Sequence, residues 1–141
     1  MSNGTKTSQA YLHAGHRLLF MEMAEGARSK DVVALSYKAM GHPEFQPGWR
    51  LALDQRRSGS LVDFDLAGAG EMYRSARELG LVQVALIHDA RQRIMNLETI
   101  RGATGFDADG LRAFVDMDRA LAWLGLPPDY DTKAGIAITA D

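Results

Sequence analysis

The chain has 141 residues, the size of one ordinary domain, and is long enough to bury a core without a disulfide or a metal ion. Hydrophobic residues make up 46% and charged residues 24%, a normal balance for a globular protein, and the net charge is −2. This charge provides no broad positive surface, so we expect no binding to nucleic acid. The absence of cysteine excludes disulfides, thiolate nucleophiles, iron–sulfur clusters and Cys-type zinc sites.

The first seven residues are polar and lack the apolar stretch of a secretory signal. No segment has the ~18 consecutive apolar residues that span a bilayer. We therefore predict a cytoplasmic protein without an integral membrane segment.

The first predicted element is a β-hairpin, because two short apolar runs, residues 10–13 and 18–23, flank a connector that contains glycine. In the second run the alternation of side chains places Leu18 and Phe20 on one face and Leu19 on the other. The outer strand of this hairpin would form an edge of the sheet, so we predict any homodimer to form through that edge.

Helices and strands alternate in the rest of the chain. The predicted elements are a helix capped by Ser29, a strand at 49–53, a helix at 66–79, a strand at 81–87, a helix at 90–100, a strand at 111–115 and a helix at 117–124 capped by Asp116. The order β-β-α-β-α-β-α-β-α predicts a single-domain α/β fold with a mixed, mostly parallel sheet of about five strands and about four helices.

The domain organisation follows from these elements. We predict a disordered N-terminal tail at 1–8, an α/β domain at 9–128 and a C-terminal tail at 129–141. Residues 136–138, which read Ile-Ala-Ile, leave an edge strand as the alternative within that tail.

Two segments carry a resemblance to a known family. Residues 43–48, Pro-Glu-Phe-Gln-Pro-Gly, lead into a strand that ends at Asp54, and residues 114–116 precede an Ala-Leu-Ala-Trp-Leu-Gly run at 120–125. With the element order, these motifs resemble the STAS-like (SpoIIAA-like) domains of sulfate transporters and anti-sigma factor antagonists. The resemblance covers residues 11–126 and implies a non-enzymatic regulatory or interaction module.

In the anti-sigma factor antagonists that this chain resembles, a partner kinase phosphorylates a serine in a D-S-S-G-L-G-like segment. The resemblance implies the same segment as the place for a phosphorylated serine in this chain. The matching segment here is residues 65–70, Asp-Leu-Ala-Gly-Ala-Gly, in which Ala67 occupies the serine position. Alanine has no hydroxyl group to accept phosphate. Ser58 and Ser60 are alternative acceptors, but both lie in the preceding loop and outside the register of the motif.

Polar residues follow the carboxyl ends of the predicted strands, where ligands bind in open α/β sheets. They are Asp54, Arg56, Arg57, His88, Asp89 and Asp116. These side chains suit an anionic metabolite or acid–base chemistry. The structural alternative is that Asp89 and Asp116 cap helices and that Asp54 bonds the backbone of the next loop.

No cofactor or metal site is predicted. The four histidines do not have the spacing of a metal motif such as H-E-x-x-H. Gly68 and Gly70 begin a G-x-G-x-x-G fingerprint, but Tyr73 takes the place of the third glycine.

The sequence therefore leaves three candidate functions. The first is a module that acts through a protein partner or a small ligand, and the second is a metabolite binder or enzyme that uses the strand ends. The third is a lipid-associated domain, because the fold group that the chain resembles is sometimes compared with lipid-binding modules. Arg91, Arg93 and Arg101 would also form a basic helix face that suits an acidic partner or anionic lipid, and a solvated helix face is the structural alternative.

Overall fold

The computed structural model describes residues 8–27, 29–58, 66–91 and 96–139. The strands and helices within this part of the chain are β1 (Gln9–His13), β2 (Leu18–Glu22), α1 (Ser29–Met40), β3 (Arg50–Asp54), α2 (Leu66–Glu78), β4 (Gln83–Ile87), α3 (Leu97–Thr104), β5 (Leu111–Phe114), α4 (Met117–Trp123) and β6 (Ile136–Ile138). The predicted element order and the single-domain α/β fold are confirmed. The predicted N-terminal tail lies outside the described residues except for Ser8.

The six strands form one sheet in the order β5-β4-β3-β2-β1-β6. β2, β3, β4 and β5 run parallel to one another, whereas β1 is antiparallel to both of its neighbours, β2 and β6. The sheet is therefore mixed and mostly parallel, as predicted. β6 lies beyond the predicted domain boundary at residue 128, and it is the edge-strand alternative proposed for residues 136–138.

Two apolar cores cover the two faces of the sheet. α1, α2 and α3 pack on one face, over a cluster that includes Leu19, Met21 and Trp49. α4 packs on the other face, over a cluster that includes Leu18 and Phe20. The alternation predicted for β2 is confirmed, because neighbouring residues of this strand belong to different cores.

The third helix begins later than predicted. A helix was expected at residues 90–100, but α3 begins at Leu97, where the Asn96 side chain accepts hydrogen bonds from the backbone N–H groups of Glu98 and Thr99. Ala90 and Arg91 lie in a turn. An Asn N-cap satisfies the free N–H groups of the first helical turn, and this local signal fixes where the helix starts.

The amino ends of β3 and β4 are joined by a close backbone contact at Gly80. The N–H of Gly48 donates to the Gly80 carbonyl at 2.9 Å, and Gly80 has φ +105°. A Cβ atom on Gly80 would lie 2.7 Å from the Gly48 nitrogen. Glycine is therefore required here both by the backbone conformation and by the available space.

Candidate functional site

The carboxyl ends of the parallel strands lie level with one another. Glu22 pairs with Asp54 in the register of β2 and β3, Asp54 pairs with Ile87 of β4, and Ile87 pairs with Phe114 of β5. The residues that end or follow these strands consequently meet at one edge of the sheet. We call this set the carboxyl rim: Glu22, Asp54, Arg56, Arg57, His88, Asp89 and Asp116.

Asp54 holds the loop that follows β3. Its side chain is buried and accepts three hydrogen bonds from Arg56: from the backbone N–H at 3.1 Å, from Nε at 2.9 Å and from Nη2 at 2.8 Å. These bonds with Asp54 raise the pKa of Arg56, and the carboxylates of Glu22 and Asp116 add to the effect. Asp54 therefore bonds the backbone of the loop after β3, which confirms the structural alternative predicted for this residue.

Glu22 is a rim residue that was not predicted. Its carboxylate lies 3.8 Å from Nη1 of Arg57 and 3.5 Å from Nζ of Lys133. The final position of Glu22 in β2, in register with Asp54, is a sequence signal that could have identified it. Lys133 had no such signal, because it follows α4 by ten residues and reaches the rim only through the path of the C-terminal segment.

The other rim residues bond mainly to their own neighbours. The backbone N–H of His88 donates to the Phe114 carbonyl, while its Nδ1 lies 3.0 Å from the Asp89 carbonyl. Asp116 caps α4 by accepting from the N–H of Asp118 at 2.9 Å, as predicted.

Asp89 does not cap a helix. Its carboxylate accepts from the backbone N–H of Arg91 at 2.8 Å, and this bond lowers the pKa of Asp89. The prediction of a cap at Asp89 is wrong because α3 begins eight residues downstream, at Leu97, and has its own cap at Asn96. Asp89 instead closes a turn after β4.

The carboxyl rim is a set of matched charges. Cationic Arg56 contacts Asp54, and Arg57 and Lys133 share Glu22. Within the described ranges, the structure places no three His, Cys, Asp or Glu side chains where they could hold a metal ion. The described contacts of the rim join side chains that position loops and helix ends.

A groove of about 540 Å³ lies at the opposite end of the sheet, before β5. Its lining includes Glu98, Arg101 and Phe106. Arg101 uses its guanidinium to bond the Leu111 carbonyl at 3.0 and 2.9 Å. The groove is therefore separate from the strand ends at which the sequence placed a ligand.

Of the two candidate phosphate acceptors, Ser58 and Ser60, only Ser58 lies within the described residues. Ser58 is buried, and its hydroxyl donates to the Gln55 carbonyl at 2.9 Å. Ser60 lies outside the described residues. Ala67 belongs to the first turn of α2.

The basic helix face predicted for lipid binding is wrong. Arg91 lies in a turn, Arg93 lies outside the described residues, and Arg101 is on α3 with a side chain only 18% exposed. Because α3 begins at Leu97, Arg91 and Arg101 do not share a helix face. Of the helices in the described ranges, none combines the length and apolar character needed to cross a membrane.

The outer edge of the hairpin is covered. Ala10, Tyr11 and Leu12 of β1 pair with Ile138, Ala137 and Ile136 of β6. The open edge on which the homodimer prediction rested is therefore occupied by the C-terminal segment of the same chain.

A histidine and a tyrosine fasten this C-terminal segment. His13 is 5% exposed, with Nδ1 2.7 Å from the Tyr130 hydroxyl and Nε2 2.8 Å from the Thr132 carbonyl. The Tyr130 ring also packs edge-on against His16, with ring centroids 5.0 Å apart. This cluster was not predicted, since Tyr130 and Thr132 lie more than 100 residues from His13 and His16 in the chain.

The comparisons with protein-family models, curated proteins and solved structures found no match to this chain.

Proposed function

We propose that this chain is a non-enzymatic regulatory or interaction module of the STAS-like type. The proposal is supported by the resemblance of residues 43–48 and 114–125 to the motifs of that family. The positions of these segments agree with it, since the first leads into β3 and the second includes the Asp116 cap and α4.

One observation carries the non-enzymatic part of the proposal: the charged groups of the carboxyl rim serve to position the chain itself. Both carboxylate oxygens of Asp54 accept from Arg56, and a carboxylate oxygen of Asp116 caps α4. A general base must be within hydrogen-bond reach of a substrate proton. Recruiting Asp54 for that role would break the contacts that hold the loop after β3.

A second candidate function is the binding of a small anion. Arg56, Arg57 and Lys133 place three cationic groups at the carboxyl ends of the strands, the usual ligand position in this class of sheet. The side chains of Arg57 and Lys133 are more than half exposed, so an anion could reach them from solvent.

A thermal-shift titration distinguishes the two candidates. We would add inorganic phosphate, citrate or ADP to the wild type and to Arg57→Gln. The matched control is Lys38→Gln, which removes an exposed cation from the last turn of α1, at the other end of the sheet. A bound ligand at 100 times its Kd adds about 2.7 kcal/mol to stability, a rise of several degrees in Tm.

For an interaction module we expect no saturable rise in Tm with any of these anions. A rise that is lost in Arg57→Gln and kept in Lys38→Gln would overturn the proposal in favour of anion binding. The positive test is reconstitution: a partner that copurifies with the chain should bind it at a fixed stoichiometry when both proteins are pure.

A further inference from the structure

The C-terminal segment, residues 129–139, crosses the hairpin and ends as the edge strand of the sheet, and we call it the strap. Its contacts with the rest of the chain include the backbone pairing of β6 with Ala10, Tyr11 and Leu12 of β1. Ile138 is buried in the core, whereas Ile136 and Ala137 are exposed. Further contacts join His13 to Tyr130 and Thr132, and Glu22 to Lys133. The Tyr130 ring also packs against His16 and the core beneath α4.

The hydrogen bonds of His13 suit a neutral imidazole. Nε2 faces a carbonyl oxygen and must donate its hydrogen, which leaves Nδ1 to accept from the Tyr130 hydroxyl. A proton added at Nδ1 would reverse that second bond and place a charge at a buried position. The strap therefore contacts His13 best when the ring is neutral.

The groups around His13 do not compensate for this charge. Burial lowers the pKa of His13, and nearby His16 lowers it further. The carbonyl of Thr132 and the carboxylate of Asp131, both in the strap, act in the opposite direction. From β3, the guanidinium of Arg50 bonds the backbone carbonyl of His16.

Beneath the strap, β1 is suited to pair with another copy of itself. β6 lies antiparallel on Ala10–Leu12, which is the orientation that the β1 strand of a second copy would take across a two-fold axis. In such a pair centred on Tyr11, Gln9 faces His13 and Ala10 faces Leu12. The residues from Gln9 to Leu12 carry no charge, so no like charges oppose one another.

We propose that protonation of His13 releases the strap and that the uncovered edge of β1 then pairs antiparallel with β1 of a second copy. The released state binds the proton more readily than the closed state, so acid shifts the equilibrium towards release. Because the His13 pKa is lowered in the closed state, protonation does not affect the strap above about pH 6.5 and weakens its closed state progressively as the pH falls below that value. This proposal is separate from the proposed function, since it requires no other protein.

Molar mass measured by light scattering at about pH 7.5 and about pH 5.5 tests the proposal, because histidine titrates within this window and ordinary carboxylates titrate below it. The full chain should be a 15.5 kDa monomer at the higher pH and shift towards twice that mass at the lower pH. Hydrogen exchange of residues 136–138 should rise over the same range.

Variants separate His13 from the other histidine nearby. His13→Gln keeps an amide that can donate to Thr132 and accept from Tyr130 without a charge, so it should remain monomeric at both pH values. His16→Gln should respond to pH as the wild type does. A loss of the response in His16→Gln and its retention in His13→Gln would overturn the assignment of the switch to His13.

Glycine variants test the strap directly. A Cβ atom at Gly135 would lie 2.7 Å from the Leu12 carbonyl oxygen, so Gly135→Ala should release the strap and give dimer even at the higher pH. Gly102→Ala is the matched control, since a Cβ there meets nothing within 4 Å. A Gly135→Ala variant that stays monomeric at both pH values would contradict the proposal.

The pairing itself is tested at Gln9. Gln9→Lys places a cation opposite protonated His13 of the second copy, so it should abolish the dimer at the lower pH while the exchange of residues 136–138 still rises. If this variant dimerises as the wild type does, or if the wild type opens without dimerising, pairing between two β1 strands is excluded.

Discussion

At the amino ends of β3 and β4, a close backbone approach joins two segments, whereas at the carboxyl ends an ion pair holds the loop that follows β3. Gly80 and Gly48 approach closely enough to share a backbone hydrogen bond of 2.9 Å. On the carboxyl rim, the loop after β3 is held by the ion pair of Asp54 and Arg56. A packed backbone contact tolerates no added atom, but an ion pair that is partly exposed can be weakened by salt.

The largest effect is expected at the amino end. Gly80→Ala should lower the free energy of unfolding by about 3 kcal/mol, because it combines a positive φ with a Cβ contact of 2.7 Å. Urea denaturation measures this loss, which should be the same at low and high salt. Gly102→Ala, in open space on α3, is the control and should change stability by less than about 1 kcal/mol.

The next effect is expected at the carboxyl rim. Asp54→Asn keeps the size of the side chain but removes the charge that Arg56 contacts, so we expect a loss of about 2 kcal/mol. A double-mutant cycle with Arg56→Gln isolates the pair. Since the Arg56 side chain is 40% exposed, the coupling should shrink as salt is added. A coupling that does not change with salt would remove the distinction between the two ends.

A smaller effect is expected at the start of α4. Asp116→Ala removes the side chain that accepts from the Asp118 N–H, and the loss should be about 1 kcal/mol. Asp118→Ala is the control, because it leaves this capping bond in place. Equal losses in the two variants would show that general helix electrostatics, rather than the cap, account for the effect.

The smallest effect is expected at Glu22. Glu22→Gln removes its ion pairs with Arg57 and Lys133, whose side chains are more than half exposed, so the loss should be at most about 1 kcal/mol. The difference from wild type should disappear at about 1 M salt, where the screening length is only about 3 Å. A larger loss that persists in salt would mean that Glu22 also holds the strap by packing.

The order of the elements could be predicted because it depends on local patterns. β2 alternates between two buried faces, and β4 is a nearly continuous apolar run between helices. The start of α3 was placed too early because Ile94, Leu97 and Ile100 continue the helical spacing upstream of the Asn96 cap. The sequence contains two signals for the helix start, the apolar spacing from Ile94 and the Asn96 cap, and the spacing alone did not show that the cap determines it.

The candidate site was predictable only where a residue follows its own strand. Asp54 and Asp116 could be placed at the carboxyl rim because the strands before them were evident. Lys133 and the contact between His13 and Tyr130 depend on the path of the strap, which brings together residues 117 positions apart in the latter case. No local pattern contains such information.

The two tryptophans lie on opposite faces of the sheet. Trp49 is 1% exposed and packs 4.8 Å from Phe45, in the core beneath α1, α2 and α3. Trp123 is half-buried at the edge of the core beneath α4, with the Arg112 guanidinium 5.5 Å from its ring. Fluorescence from variants that retain one tryptophan at a time would therefore follow each core separately and show whether the two sides of the sheet melt together.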